Sequence, residues 1–346
     1  MTIQQAHRQD TSAVTDPPLL RVEDFSLDIA RNGEFLPVLT DVNVTVQRGE
    51  VVGLVGESGS GKSTLAMSMM GLVPRRISRH RGGSIRVAGT EIVGLSTRRL
   101  QSIRGSRVGM IFQEPMTSLD PAFRVGDQIA EVIRRHRGGT RKQARLDAIE
   151  NLRLVEVADA ERRADSYPHE LSGGLRQRVC IAMAIACRPE LLIADEPTTA
   201  LDVTTQAQIL DLLRRLRQEI GMAIVLISHD LAVVAEFCDR VMVMYAGEIV
   251  EQSPIDAYFE RPRHPYSSAL LQSLPENQEP LIELSVLPGS PPQLGMVAPG
   301  CRFAARCTHF VSGLCDTAPI PMFGEDPRKY RCIRAEDLEL PGVIND

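Results

Sequence analysis

This sequence of 346 residues has few lysines and no long apolar run, and its net charge is negative. No stretch approaches the ~20 consecutive apolar residues that cross a bilayer, and the best runs, such as Met222–Ile227, are strand-sized. The net charge of −5 gives no reason to expect nucleic-acid binding, which usually shows as a basic domain. Met1–Pro18 is polar and lacks an apolar h-region, so we expect a disordered tail and not a signal peptide. We therefore expect a cytoplasmic chain whose seven cysteines are reduced or bind metal.

The scarcity of lysine makes one lysine stand out. The only lysines are Lys62, Lys142 and Lys329, and arginine supplies the other positive charges. Lys62 lies inside a glycine-rich segment. A compact ammonium there differs from a planar guanidinium, because it acts as a point charge.

The pattern of strands and helices predicts two parts. Apolar residues make up 43% of the chain and charged residues 24%, which is ordinary for a globular protein. Short apolar strands alternate with helical patterns, which indicates a mostly parallel sheet covered by helices. The first two strands are expected to be antiparallel, and about 114–186 to contain a helical insert. We place the first domain at 19–278 and a Pro- and Cys-rich C-terminal domain at 279–346. The expected strands are Leu20–Ala30, Val38–Gln47, Val51–Val55, Val108–Phe112, Leu191–Ala194, Ala223–Ile227 and Arg240–Tyr245.

A glycine-rich loop between a strand and a helix carries the strongest chemical signal. The segment Gly56–Thr64 fits G-x-x-x-x-G-K-[ST], follows Val51–Val55 and precedes the helical Leu65–Leu72. Backbone N–H groups of such a loop form an anion nest at a helix N-terminus. Lys62 is expected to bridge the β- and γ-phosphates of ATP, and Ser63 to bind Mg²⁺. The expected ATP-binding residues of the loop are Gly56, Ser58, Gly59, Ser60, Gly61, Lys62, Ser63 and Thr64.

Polar side chains at the ends of three further strands are the expected catalytic partners of this loop. Asp195 would bind the Mg²⁺ shell, and Glu196 would face the attacking water as general base or orienter. His229 follows the next strand, where ligands of parallel sheets bind, and is expected to contact the γ-phosphate. Gln113 follows Val108–Phe112 and is expected to ligate the Mg²⁺ or the water.

A second nest for phosphate is indicated by Leu171–Arg178, which opens a helix. Ser172, Gly173 and Gly174 would present another helix N-terminus. One nucleotide does not need two such nests, so the second is expected to serve a nucleotide across a dimer interface.

Together these elements resemble the ATP-binding subunits of ABC transporters over Leu20–Leu274. The resemblance rests on the glycine loop, Gln113, the LSGG signature, the Asp195–Glu196 pair, the D-loop Ala200–Asp202 and His229, in the family's order. It implies a P-loop NTPase core of the RecA-like type and a head-to-tail dimer. Ser172, Gly173, Gly174 and Gln177 of one subunit would then act on the ATP bound by the other, with Asp202 at the interface.

The resemblance also implies an adenine contact upstream of the glycine loop. The family usually stacks adenine on an aromatic residue, and Ile29 falls near that position with an insertion at Arg31–Leu36 beside it. We expect an apolar contact from Ile29 or Phe35.

Three further segments resemble the oligopeptide/dipeptide importers, namely Met110–Pro121, Thr198–Gln208 and Arg263–Leu271. The pair Thr198–Thr199 is similar to the D-type subunit. The resemblance implies a peripheral ATPase on the cytoplasmic face of the membrane. Its partners would be a second ATPase subunit, two permeases and an extracytoplasmic solute-binding protein.

The alternatives to peptide import are another solute (a nickel complex, glutathione or a sugar), an exporter subunit, or a soluble ATPase of this class acting on nucleic acid or the ribosome.

Four cysteines, Cys301, Cys307, Cys315 and Cys332, lie in the Pro-rich C-terminal part. Four thiols can hold a [4Fe–4S] cluster or tetrahedral zinc. The spacing lacks the C-x2-C pair common in zinc sites, which favours the cluster; zinc, free thiols and disulfides stay open. Resemblance supports the cluster, since related peptide-importer subunits carry one. We expect a structural role for it, and core packing for Cys180, Cys187 and Cys238.

Overall fold

A computed structural model describes residues 17–114, 118–199, 201–274, 289–295 and 299–343. It contains a four-stranded sheet and an eight-stranded sheet. Of the expected tail, only residues 17 and 18 are among the described residues. The expected domain boundary near 278 lies outside them. Within the described residues, no helix is long and apolar enough to span a membrane.

The larger sheet contains a block of parallel strands that are buried on both faces and that reach one edge of the sheet. They are β3 (Val51–Val55), β6 (Val108–Ile111), β7 (Leu191–Asp195) and β8 (Ala223–Ile227), and β3 also pairs in parallel with β9 (Arg240–Tyr245). In β3, Val51 and Val55 pack into one hydrophobic core, whereas Val52 and Leu54 pack into the other. The sequence of a strand that is buried on both faces is a continuous apolar run, which is why these strands could be predicted from the sequence. The expected P-loop α/β fold is confirmed.

The helix Lys62–Met69 follows β3 directly. It starts earlier than the apolar pattern at Leu65 indicates, because the glycine loop itself supplies the N-cap at Gly61. The other described helices of this part are Thr97–Ile103, Val203–Ile220, Leu231–Phe237, Ile255–Glu260 and Pro265–Gln272.

The smaller, antiparallel sheet is ordered β2-β1-β4-β5. Its strands are β1 (Leu20–Arg31), β2 (Glu34–Val46), β4 (Ser78–Val87) and β5 (Thr90–Glu91). The expected insertion at Arg31–Leu36 is the end of a β1–β2 hairpin, which turns at Asn32 and Gly33 with positive φ at both residues. The sequence analysis missed β4 because its first half is polar and largely exposed.

Helices fill the segment between β6 and β7. They are Val125–Arg137, Arg141–Leu154, Ala160–Arg163 and Gly173–Ile185, with a short 3-10 turn at Pro168–Glu170. Their apolar residues, such as Ile129, Ala148 and Val179, join the core on one face of the large sheet. Thr140 caps the second helix by accepting a hydrogen bond from Gln143 N–H. The sequence therefore places these helices, while the cap fixes where one of them begins.

The C-terminal residues join the large sheet. After β9 the chain turns at Ala246 and Gly247 into β10 (Glu248–Pro254), which pairs with β12 (Arg328–Tyr330), and β12 pairs with β11 (Phe323–Glu325). The cysteine-bearing segment is thus docked on the sheet that carries the glycine loop. The pairing of β10 with β12 involves only Glu251–Tyr330 and Gln252–Lys329, and nothing local in the sequence marks it.

The β9–β10 turn ties the two sheets and the glycine loop together. Gly247 N–H donates to Ser60 O at 2.8 Å, and Thr40 N–H donates to Gly247 O at 2.9 Å. Gly247 has a φ of 86°, and a Cβ on it would lie 2.1 Å from Val38 O.

We expect Gly247→Ala to lower the free energy of unfolding by ~2 kcal/mol, because the turn must open to relieve both the strained φ and the clash with backbone. Gly33 has the same φ of 86° but open space around its Cβ position. Gly33→Ala is therefore the matched control and should cost about 1 kcal/mol. Urea unfolding of both variants measures the difference. Equal destabilisation would show that the clash at Val38 contributes nothing.

Candidate nucleotide site

The glycine loop is shaped so that its backbone surrounds Lys62. Gly56 has a φ of 145°, and a Cβ there would lie 2.1 Å from Met244 O, so only glycine fits. Lys62 Nζ donates to Gly56 O at 2.7 Å and to Glu57 O at 2.9 Å. Burial lowers the pKa of Lys62, against the opposing effect of Glu196, Asp195 and Glu57. The ammonium is thus held within the curve of the loop, where a phosphate would meet it.

Other loop residues differ in exposure. Ser58, Gly59 and Ser63 are exposed, and Thr64 is half-buried. Ser60 is buried, and its Oγ has no hydrogen-bond partner in the described part of the chain. A loop with an unpartnered hydroxyl and exposed neighbours is suited to receive polar ligand atoms.

Asp195 and Ser63 meet at the end of β7. Burial raises the pKa of Asp195 above its usual range, and the nearby Ser63 hydroxyl opposes this effect. Asp195 Oδ1 is buried and has no partner among the described residues. A hydroxyl and a buried carboxylate oxygen are ligands that Mg²⁺ prefers. The residues present therefore fit the expected magnesium ion.

Glu196 is the point at which the catalytic candidates converge. Its Oε2 accepts hydrogen bonds from Gln113 Nε2 and from the Thr199 hydroxyl, both at 2.9 Å. His229 Nδ1 lies 3.4 Å from the same oxygen. The Glu196 side chain is 16% exposed, whereas that of His229 is 66% exposed. The structure thus brings together residues from three strand ends around one carboxylate that water can reach.

Backbone geometry aims Glu196 at this position. Glu196 has a φ of 49°, in the left-handed region that is uncommon for residues other than glycine. Its N–H donates to Ile227 O at 3.0 Å, at the end of β8. The strained turn is held by the neighbouring strand, as is common at functional sites.

The signature residues lie at an exposed helix start. Ser172 and Gly173 are exposed, and the Ser172 hydroxyl caps the helix by accepting a long, 3.4 Å bond from Leu175 N–H. A Cβ on Gly174 would lie 3.1 Å from Thr205 Cγ2. Asp202 is also exposed, and caps the helix Val203–Ile220 through Thr205 N–H. The signature and the residues around Asp202 therefore form adjoining surface.

Gln177 differs from its expected role at a partner's ATP. It is only 2% exposed, and its Nε2 donates to Pro197 O at 2.6 Å. Its helix position turns it inward, towards the residue that follows Glu196. Here it links the signature helix to the catalytic segment within one chain.

The two candidates for the adenine contact are neighbours on β1 and β2. Ile29 is half-buried against the core of the small sheet. Phe35 is 41% exposed, and the Arg79 guanidinium lies 5.0 Å from the centre of its ring. Ala30 pairs with Phe35 and Ile29 with Leu36, so the two candidates are close along the backbone but their side chains point to opposite faces of the sheet.

The four C-terminal cysteines line one cavity. Burial raises the pKa of the Cys301, Cys307 and Cys332 thiols to about 11, and none of the described cysteines forms a disulfide. Among the described residues, no group of three or more His, Cys, Asp or Glu side chains is placed to hold a metal ion, which supports neither the expected cluster nor zinc. Of the other three cysteines, Cys180 and Cys238 are buried as expected, and Cys187 is half-buried.

The cavity is basic as well as apolar. Phe303, Phe310 and Ile320 line it, together with Arg331 and Arg334. Arg331 is only 8% exposed, and its Nη1 donates to the backbone oxygen of Ile320 at 2.9 Å. It makes no salt bridge to a described carboxylate. Its other guanidinium nitrogens donate to Ile249 O and Asp41 O, and its charge acts on the Glu248 carboxylate.

Sequence reasoning missed two groups of residues at the glycine loop. Thr199 was singled out only for its resemblance to a subfamily, yet its hydroxyl bonds Glu196. The Glu57 carboxylate accepts hydrogen bonds from Arg306, and the Glu57 N–H donates to the Tyr266 hydroxyl. Their separations of 249 and 209 residues leave no local signal.

Two parts of the chain match described protein families. Residues 39–199 match the family described as ABC transporter, and residues 250–315 match the one described as oligopeptide/dipeptide transporter, C-terminal region.

Curated relatives cover most of the chain. A putative peptide import ATP-binding protein of Brucella abortus is 50% identical over 310 residues, or 90% of this chain and 93% of the relative. A probable peptide ABC transporter ATP-binding protein of Sinorhizobium fredii is 49% identical over 298 residues, or 86% of this chain and 89% of the relative.

Solved structures resemble the nucleotide-binding part. A dimeric, post-hydrolysis structure of the ATP-binding cassette MJ0796 with ADP and Pi superimposes with a TM-score of 0.61 at 30% identity. It covers 68% of this chain and 98% of that one. The cbiO1 protein of Clostridium perfringens, part of an ABC transporter complex, gives 0.60 at 28% identity and covers 70% and 90%.

We expect Glu196→Gln to keep ATP binding and to lose nearly all turnover, on the order of a 100-fold or greater fall in kcat, because an amide cannot accept the water proton. A fluorescent ATP analogue measures binding, and phosphate release measures turnover. Glu190 lies just before the opposite end of β7, paired with Arg48, so Glu190→Gln is the matched control. Near-normal hydrolysis by Glu196→Gln would refute the role.

Proposed function

This chain belongs to the ATP-binding subunits of ABC transporters that import peptides, and we propose how its residues perform that task. It hydrolyses ATP to power uptake. The convergence of Gln113, Thr199 and His229 on Glu196, at the sheet edge that carries Lys62, is the observation that supports this function most strongly.

Lys62 is the cation that receives the nucleotide. Its present acceptors are two backbone oxygens, which it would exchange for β- and γ-phosphate oxygens. Gly56, Ser58, Gly59, Ser60, Gly61 and Thr64 supply the rest of the cradle. Ser63 and Asp195 would hold Mg²⁺, which offsets phosphate charge when bound. Ile29 or Phe35 gives adenine an apolar contact.

Glu196 orients the attacking water and accepts its proton. Gln113 and Thr199 fix the direction of the carboxylate, and His229 stands beside it to contact the γ-phosphate. Gln113 lies between the sheet and the helical segment. A change at the γ-phosphate would therefore be passed through it to the permeases.

The exposed signature of one subunit completes the site of another. Ser172, Gly173 and Gly174 offer a helix N-terminus that has no nucleotide of its own to bind. We assign them to the ATP of a second ATPase subunit in a head-to-tail dimer, with Asp202 at the contact. Two permeases and an extracytoplasmic solute-binding protein complete the assembly, and the chain lies on the cytoplasmic face of the membrane.

We expect this chain, co-expressed with the permeases and binding protein encoded beside it, to purify as one complex with them. Peptide-loaded binding protein should raise its ATPase rate several-fold, since the loaded partner favours the closed state. Phosphate release from the complex in lipid is the measurement. Stimulation by a nickel complex, glutathione or a sugar, and not by peptide, would contradict peptide import while leaving the ATPase role intact.

The cysteine cavity is proposed to hold a [4Fe–4S] cluster on Cys301, Cys307, Cys315 and Cys332. Four thiols surround one cavity, and the buried Arg331 would offset the negative charge of such a group. Bound there, it would cross-link a segment that has little core of its own.

We expect anaerobically purified protein to contain about four iron atoms per chain and to absorb in the thiolate-to-iron charge-transfer region. Cys307→Ser should lower the iron content and the melting temperature together. Cys187→Ser, outside the cavity, is the control and should change neither. Zinc without iron under these conditions would overturn the proposal.

A further inference from the structure

An arginine of the cysteine-bearing segment reaches the glycine loop. Arg306 Nη1 and Nη2 donate to the two oxygens of Glu57, at 2.6 Å and 3.0 Å. The Arg306 side chain is 5% exposed and that of Glu57 is 25% exposed. The bond to Glu57, aided by Tyr245, raises the pKa of Arg306 above its usual range. This is a bidentate, largely buried ion pair, the geometry in which arginine binds carboxylates most strongly.

The helix Pro265–Gln272, against which this segment packs, supports the loop backbone. Glu57 N–H donates to the Tyr266 hydroxyl at 2.8 Å. The Tyr266 ring packs against Phe303, with ring centres 5.4 Å apart, and Phe303 lies three residues before Arg306. Both the side chain and the main chain of Glu57 are therefore fixed from the C-terminal side.

A second arginine, Arg302, acts on the loop at Ser60 indirectly, through the β9–β10 turn. Arg302 donates to Ala246 O and lies 3.1 Å from Glu248. These residues form the β9–β10 turn, in which Gly247 N–H donates to Ser60 O. Arg302 and Arg306 thus bracket the loop from Glu57 to Ser60.

Charge explains why Glu57 needs its partner. The Glu57 carboxylate is close enough to raise the pKa of Lys62, so it also acts on any phosphate that binds there. An unpaired carboxylate beside Lys62 would repel the anionic nucleotide, and burial would strengthen this repulsion. Paired with a guanidinium, the carboxylate keeps its position in the loop while its charge is offset.

We propose that Arg306 is a positioning residue for ATP binding, which acts by neutralising and orienting Glu57. The C-terminal segment thereby forms part of the nucleotide site of this chain. The inference rests on ATP binding and not on the cluster.

The first test is Arg306→Ala in the full-length chain. We expect the Kd of a fluorescent ATP analogue and the KM for ATP to rise ~10-fold, equivalent to about 1.4 kcal/mol, with kcat at saturating ATP changed less than twofold. Arg306→Lys, which keeps the charge but loses the fork, should fall between. Arg263, which pairs with Glu336 in the same region, provides the control Arg263→Ala, with unchanged affinity.

The double variant Glu57→Gln/Arg306→Ala separates electrostatics from folding. With no carboxylate left to repel the nucleotide, its affinity should return to within about threefold of the parent. Iron content and melting temperature are measured for every variant, so that loss of the C-terminal group is recognised separately. Affinity in the double variant as weak as in Arg306→Ala, or a fall in kcat without a change in Kd, would overturn the proposal.

Discussion

Parallel pairing of β3 with β8 and of β8 with β7 is the constraint from which the site follows. Because the strands run in one direction, their carboxyl ends meet at one edge of the sheet. The glycine loop follows β3, Glu196 follows β7, His229 follows β8 and Gln113 follows β6. The hydrogen bond from Glu196 N–H to Ile227 O shows this register directly. Four short apolar strands therefore assemble the proposed catalytic group from residues up to 173 positions apart, from Gly56 to His229.

The sheet edge concentrates negative charge around one cation. Asp195, Glu196 and Glu57 all act on Lys62, and burial opposes the charged forms of both Lys62 and Asp195. Two polar atoms, Ser60 Oγ and Asp195 Oδ1, are buried without partners in the described chain. This arrangement of buried charges and unpartnered polar atoms is unfavourable without bound ligands, because missing hydrogen bonds and desolvated charges cost free energy. Magnesium and phosphate bound at the proposed positions would supply what each atom lacks, so that binding would recover that free energy.

The sequence predicted what depends on local pattern and missed what depends on distant pairing. Strands β3, β8 and β9 match to the residue, because they are buried apolar runs, and the glycine loop, Asp195, Glu196 and His229 follow from them. Strand β4 was missed because its polar half is held by β1 and not by its own pattern. Gln177 faces inward, and the signature pattern alone does not show which face of the helix it occupies. The Glu57–Arg306 pair joins residues 249 positions apart, which no local motif reveals.

A single short segment links the proposed dimer contact to the chemistry. Glu196, Thr199 and Asp202 lie within seven residues, and the Thr199 hydroxyl bonds Glu196. Gln177 holds the same segment from the signature helix through Pro197 O. A partner subunit that presses on Asp202 or on the signature would shift the carboxylate by moving the few backbone units between them. Gated hydrolysis would then need no long pathway, because Glu196 and Asp202 are close in sequence and the signature helix contacts the same segment through Gln177.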